Sequence, residues 1–445
     1  MTMTSTPPPA PPAPEGTDSN HAPLPVRLLA EVDRLAAVSL WPNYDPRRYP
    51  VAICDGEQTW LFRHPSPPSE FAASPPYSDA RIFAGLHPSV RANSFAKLAD
   101  INTATVMLND TRRQTIAALG ALLIHELFHV FQDQRHPDWQ ANELDLFVYP
   151  MDDAELLQLR RLETEALRRA LRAPDRDDQA RWAAAALALR RCRFAELPAE
   201  AASYERGNEL REGLATYVER KAAGNDDPAA ILPDNFAANA VRLCGYATGH
   251  TLAVLLDHLA SSWTEDLERG PTRPLDSLLG AVLARHKVTP ASFTSEEWTR
   301  ELARAQADIG ELRASRSVRR DAFLALPGWR LVIIAHRYEP LRPQGFDPMN
   351  LHLLGGGEIL HTRFLQLSSA AGKLEVLGHL ALTEAAGSHP LFEGVQQVTV
   401  AGLAEEPVVQ IGADRMEITA SGVTARFRGG HVEREAQHIR LRLGG

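Results

Sequence analysis

"ALLIHELFHVFQ", residues 121–132, sets two histidines and a glutamate inside an almost wholly apolar run. His125 and His129 stand four positions apart, so on a helix they share a face, with Cβ atoms about 5–6 Å apart. Two imidazole nitrogens placed in this way can reach one metal ion at about 2.0–2.1 Å. Glu126 follows the first histidine, where its carboxylate lies beside a metal-bound water rather than on the metal. Leu122, Leu123, Ile124, Leu127, Phe128, Val130 and Phe131 cover the helix on every side, which predicts that it is buried. A buried carboxylate without a partner is costly or takes up a proton, and two buried imidazoles need partners of their own. A bound cation is the simplest compensation, and zinc is the expected one.

A catalytic zinc site takes three protein ligands and keeps a fourth position for water. Arg135, six residues after His129, excludes the extended form in which a third histidine follows at that spacing. Downstream, "NELREGLATYVERKA" offers Glu209, Glu212 and Glu219 on a predicted helix. Glu212 is the expected ligand, because Gly213 follows it and Ala215 and Thr216 lie on its own face. Small residues there let the helix approach another backbone closely. Glu205, Glu209 and Glu219 read as surface glutamates, and Tyr217 as packing. Gln132 and Asp133 read either as groups that orient an imidazole or as solvent-facing polar residues.

Outward from this stretch the composition is that of a globular protein. The chain has 445 residues, 23 % charged and 44 % hydrophobic, and its length suggests two or three domains. Its 47 Lys+Arg against 56 Asp+Glu give a formal charge of −9, and no basic stripe reverses this locally. Neither a nucleic acid nor a membrane partner is therefore expected. Cys54, Cys192 and Cys244 are far apart and odd in number, which indicates neither a disulfide framework nor a thiolate zinc site. A reducing compartment fits, and the cytoplasm is expected. The N-terminal "MTMTSTPPPAPPAPEGTDSN" has no basic region followed by an apolar one, so no secretory signal is readable. The longest apolar run, residues 116–124, is short of the roughly 20 residues of a membrane-spanning helix.

The fold class expected is α+β. Residues 1–24 read as a disordered, Pro-rich leader, and residues 25–325 as a mainly helical catalytic domain with a small N-terminal sheet. In that domain "VRLLAEVDRLAAVSLW" predicts an amphipathic helix. "YPVAICDGEQTWLF" predicts two strands joined at a type I′ turn over Asp55-Gly56. "INTATVMLND" predicts a strand, with Asn109, Asp110 or Thr111 capping the helix that follows. The Arg/Glu-laced stretch of about residues 152–197 has charges at i, i+4 spacing and predicts an inserted, solvated helical hairpin. Helices are also predicted over 274–286 and 295–313. Residues 326–445 change to short β-runs separated by Gly and Pro, an all-β domain whose partner the sequence does not name.

"HELFH" together with "EGLATYVE" resembles the gluzincins, zinc peptidases whose third ligand is a glutamate on a second helix. The second stretch is most similar to the aminopeptidase-N type, with its Asn-Glu-Gly-aromatic-Ala-x-Tyr run. "GYATGHTLAVLLD" is similar to the Tyr-x-x-Gly helix of that type, whose tyrosine stabilises the oxyanion. The resemblance implies a zincin-like domain in which His125, His129 and Glu212 bind zinc, Glu126 is the general base and Tyr246 is the oxyanion donor. His250, one helical turn further on, is the alternative donor. The resemblance also implies that the strand "INTATVML" is the sheet edge that pairs with an extended peptide substrate. The chain departs from the pattern in three ways. About eighteen residues separate the second His from the Glu in that type, whereas here 83 positions do, and the predicted hairpin accounts for the excess. Arg211 stands where Asn is usual, and the Gly-x-Met-Glu-Asn motif that reads a free amino terminus is missing before residue 121.

The expected activity is hydrolysis of peptide or protein substrates by zinc-activated water with Glu126 as base. Two other readings share these residues: a zinc-containing scaffold without turnover, and a zinc hydrolase acting on a non-peptide bond. Retention of Glu126 weighs against the scaffold, because a purely structural zinc has no use for a base.

Overall fold

In the computed structural model, which describes residues 22–75, 77–90, 92–108, 114–224, 227–347, 350–413 and 415–444, the apolar run around residue 124 folds as one long helix. Residues 1–21 of the expected leader, and the expected caps Asn109, Asp110 and Thr111, lie outside the described set. Helices take 43 % of the chain and strands 26 %, with a small N-terminal sheet and an all-β C-terminal region, so the class is α+β.

The N-terminal part runs α1 (Leu24–Leu35), β1 (Val51–Cys54), β2 (Gln58–Phe62), β3 (Ala72–Ser74), β4 (Tyr77–Ala84), β5 (Ser94–Leu98) and β6 (Ile101–Met107). The helices that follow are α2 (Ile116–Arg135), α3 (Ala154–Arg172), α4 (Arg176–Glu196), α5 (Ala199–Asn208), α6 (Leu214–Ala223), α7 (Val241–Leu259), α8 (Trp263–Arg269), α9 (Leu275–Arg285) and α10 (Ser295–Leu324). Thr115 caps α2, its side chain accepting from the Ala118 amide. The chain divides into two compact units. One is drawn from residues up to 140, 207–231 and 245–286, the other from 141–206, 232–244 and 287–445. This division does not follow the expected boundary near residue 325.

The first unit holds a mixed sheet in the order β3-β4-β2-β1-β6-β5, in which only β1 and β6 run parallel. Ala52, Cys54, Leu61 and Leu98 close one face together with Phe71 and Val90. The opposite face carries α2. Asn102 on β6 donates to Asp133 on α2, and the register sets Val51, Ala104 and Phe95 on that same side. The expectation for β6 is corrected here. β6 lies inside the sheet between β1 and β5, and β5 is the edge. A hairpin from β6 back to β5 covers the strand that the sequence places next to the helix. The β1–β2 turn also differs from expectation. Asp55 and Gln58 form the closing pair, and the positive φ of +100° falls on Gly56 as first central residue, the type II′ position rather than type I′. The Asp55 carboxylate accepts the amides of Glu57 and Gln58, which fixes it outside the turn's centre.

Among the described residues α2 alone is long and apolar enough to cross a membrane, and it is mostly buried inside the fold. Leu123, Ile124, Leu127, Phe128, Val130 and Phe131 are all within 1 % of full burial, each worth about 1.5–3 kcal/mol. Trp41 and Tyr44 meet Phe128 edge-on, and the Tyr44 hydroxyl donates to the Ile124 carbonyl at 3.0 Å. α2 is therefore the core helix of this unit, held from both sides.

In the second unit α3 and α4 pair as a hairpin, but not a solvated one. Glu163, Arg190 and Arg193 are at most 2 % exposed. The Glu163 carboxylate accepts from Arg190 Nε and Arg193 Nη2 at 2.7 Å each, and Arg193 reaches Glu205 at 2.5 and 2.8 Å. Tyr149 donates to Glu205 as well. The charges satisfy each other across helices rather than along one, which lets them leave water. Glu205 is accordingly no surface glutamate. α10 packs against α3 and extends to Leu324, beyond the expected end at 313, from a capping box formed by Thr294 and Glu297.

The same unit contains the β-domain. β7 (Trp329–Ile334), β9 (Leu351–Gly355), β10 (Glu358–His361), β13 (Leu380–Ala385), β14 (Val395–Leu403), β18 (His431–Glu435) and β19 (His438–Arg442) form one sheet, in the order β18-β19-β7-β14-β13-β10-β9. β8 (Arg342–Phe346), β11 (Phe364–Ser369), β12 (Gly372–Leu377), β15 (Val408–Ile411), β16 (Met416–Ala420) and β17 (Val423–Phe427) form a second, in the order β15-β16-β17-β12-β11-β8. Alternate residues of both sheets, among them Leu331, Ile333, Leu365, Leu374, Val398 and Ile418, are fully buried in one apolar cluster, as in a two-sheet sandwich.

Candidate metal centre

α2 turns His125, Glu126 and His129 inward, each 6 % exposed. Their partner arrives where α5 gives way to α6 through a single π-turn, Glu209–Gly213. Such a turn adds a residue to the helix and resets the direction of its side chains by about 100°. Both of its glutamates are buried. Glu209 accepts from the Thr248 hydroxyl at 2.8 Å, so its reading as a surface residue is corrected. Glu212 meets the two histidines.

The His125 and His129 Nε2 atoms are 3.1 Å apart, and Glu212 Oε2 lies 3.2 Å from His129 Nε2 and 3.5 Å from His125 Nε2. Ligands about 2.0–2.1 Å from one tetrahedral ion stand about 3.4 Å from each other, so the three atoms fit a common zinc. Among the described residues this is the group whose atoms could hold a metal ion.

The outer nitrogens are fixed by residues of the same two helices. The Gln132 amide nitrogen donates to the Leu210 and Arg211 carbonyls at 2.9 and 3.0 Å, so its oxygen must accept from His129 Nδ1 at 2.8 Å. His125 Nδ1 donates to Glu219 Oε2 at 3.0 Å. Both imidazoles are therefore held by Nδ1 and turn Nε2 towards the shared point, the nitrogen an ion would bind. Of the two sequence readings of Gln132, orientation of an imidazole is the one found. The surface reading of Glu219 is corrected. Seven residues after Glu212, it lies two turns further along the same face, a spacing visible in the sequence.

Without an ion the electrostatics show how the groups lean on one another. Burial drives His125 down, but hydrogen bonds to Glu212 and Glu219 outweigh it and raise the residue to about 10. Glu212 suffers the same burial, and the two histidines hold it far below the usual carboxylate range. Burial leaves His129 below its ordinary value. Glu126 has no such partner, and burial pushes it up to about 7.

α7 brings the remaining candidates. The Tyr246 ring is nearly parallel to that of His125, with centroids 6.3 Å apart. His250 is buried and pushed down to about 3, chiefly by that burial. Tyr246 is thus set beside the His125 ring. The approach of α7 depends on glycine. A Cβ on Gly249 would stand 2.7 Å from both the Glu209 carbonyl oxygen and Gly213 Cα, and one on Gly213 would stand 2.5 Å from Gly249 Cα. Tyr217 packs edge-on against Trp41 and Trp263 and donates to Asp257 at 2.8 Å. Asp133 accepts from Asn102 and ties α2 to β6.

Comparison with known protein families, with curated proteins and with solved structures finds no match to this chain.

Proposed function

We propose that this chain is a zinc-dependent peptidase with Glu126 as general base. The observation that carries the reading is the buried convergence of His125, His129 and Glu212, their ligand atoms 3.1–3.5 Å apart, with Glu126 beside them on α2. His125, His129 and Glu212 would hold zinc, which would supply a water of lowered pKa and a Lewis acid for the substrate carbonyl. Glu126, beside the three residues that would hold the ion, would take a proton from the attacking water and pass it to the leaving amine, so that one amide and one water become a carboxylic acid and an amine. Tyr246 donates a hydrogen bond to the carbonyl oxygen as negative charge gathers on it. Glu219 and Gln132 keep the imidazoles in the ligating tautomer throughout.

A peptide is favoured as substrate because β5 is an edge strand on the side of the sheet that carries α2. Its outer backbone groups can pair with an extended chain. None of Cys54, Cys192 and Cys244 is in a disulfide, which fits action in the cytoplasm.

Metal analysis and peptide-library cleavage on the wild type and on Glu126→Gln test the reading. The expected result is one zinc per chain in both proteins, with turnover at least about a hundredfold lower in the variant. Stoichiometric zinc with no cleavage by either would replace the peptidase with a zinc-containing scaffold. Cleavage of esters or other non-peptide substrates alone would make it a hydrolase of another bond.

A further inference from the structure

Arg211 immediately precedes the ligand Glu212 in the π-turn and is half-buried. Its guanidinium carbon lies 5.3 Å from the centre of the Phe95 ring. Phe95 is on the edge strand β5, and its register with Ala104 turns it to the side of the sheet that carries α2. The guanidinium of a residue next to Glu212 thus lies against a side chain of the strand along which an extended chain would run. Glu212, Asp133, Glu126 and Tyr246 are the titratable groups that act on it, and burial lowers the arginine's pKa.

The chain's other interior arginines are bonded. Arg160 and Arg161 donate to the backbone carbonyls of residues 236–238, and Arg190 and Arg193 donate to Glu163. The Arg211 guanidinium has neither hydrogen bond nor ion pair among the described residues, only its contact with the Phe95 ring. An arginine drawn partly out of water, with its fork of donors unused, is suited to a planar anion supplied from outside.

We propose that Arg211 is a specificity residue that binds a carboxylate of the substrate beside the scissile bond. The carboxylate is either the free C-terminus of a peptide or an acidic side chain. This rests on the peptidase reading. Phe95 holds the guanidinium flat, and the two parallel N–H groups of its fork meet the two carboxylate oxygens.

The test uses short fluorescent peptides of one sequence in three forms: neutral and amidated, the same peptide with a free C-terminal acid, and the amidated peptide with Glu in place of a Gln near the cleaved bond. kcat/KM is measured for wild type, Arg211→Gln and Arg211→Lys. Binding of the same peptides is measured on Glu126→Gln and on Glu126→Gln/Arg211→Gln. Wild type is expected to prefer one carboxylate-bearing form to the neutral one by about tenfold or more, with a matching preference in binding. The preferred form identifies terminal or side-chain recognition. Arg211→Gln is expected to bring both ratios close to one, and Arg211→Lys to retain part of them. Cleavage with no carboxylate preference, or an equal loss on every peptide in Arg211→Gln, overturns the role of Arg211 while leaving the peptidase intact. If nothing is cleaved, the peptidase reading fails alone. The acid-over-neutral ratio in binding then upholds Arg211 if its substitution abolishes it, and overturns Arg211 if there is no such ratio.

Discussion

Glu219 is not one of the three residues that could hold an ion, yet its bond to His125 Nδ1 decides which nitrogen of that ring faces the cluster. Glu219→Gln keeps the shape of the side chain and removes the charge that makes the imidazole a strong donor. We expect zinc affinity to fall about tenfold to a hundredfold, read by competition with a chromophoric chelator. Unchanged affinity would show that His125 is oriented by packing alone. At this scale the convergence of His125, His129 and Glu212 was legible, because groups that could share a metal ion must be of particular types at particular spacings. Glu205, Glu209 and Glu219 were not, since a glutamate on a polar helix face looks the same whether water or a buried partner receives it. Only Glu219 left a trace, its i+7 relation to Glu212.

The π-turn and the Gly213–Gly249 contact operate at the scale of elements. They set the distance between the helix that carries Glu212 and the one that carries Tyr246. In Gly249→Ala the added methyl meets backbone on two sides, where no side chain can swing away. A loss of about 1–3 kcal/mol in stability is expected, together with weaker zinc binding, measured by thermal denaturation with and without the metal. Equal denaturation and equal zinc affinity would mean that α7 shifts freely and that Tyr246 is not held against His125. Close approach at Glu212 was readable from its small neighbours. The π-turn was not, because hydrophobic periodicity carries no sign of one extra residue. The edge strand was assigned one strand too late for a related reason: adjacency in sequence suggests the edge, but pairing order decides it.

At the scale of the molecule, the second unit places Glu205 with Arg193 and Tyr149 in its interior. Burial works against the charged form of Glu205, but Arg193 outweighs it and lowers the carboxyl from 4.5 to about 2. Because the folded pKa is the lower one, this stability is present above about pH 4.5 and is lost as pH falls towards 2. About 2 kcal/mol should be gone by pH 3. Urea denaturation at pH 6 and pH 3 should show this loss in the wild type and a flatter response in Glu205→Gln. Identical pH slopes would remove Glu205 from the account. The all-β C-terminal region and the small N-terminal sheet were legible from composition and alternation, whereas the compact units were not, because they are assembled from separated stretches of chain. Residues 141–206 lie between His129 and Glu212 in sequence but belong to the second unit. During synthesis the two histidines and Glu126 therefore emerge well before Glu212, which completes their cluster, has been made. If the site takes up zinc, its capture would be a late step of a high-contact-order folding route, and a newly made chain short of the metal would present its most apolar helix with its charges uncompensated.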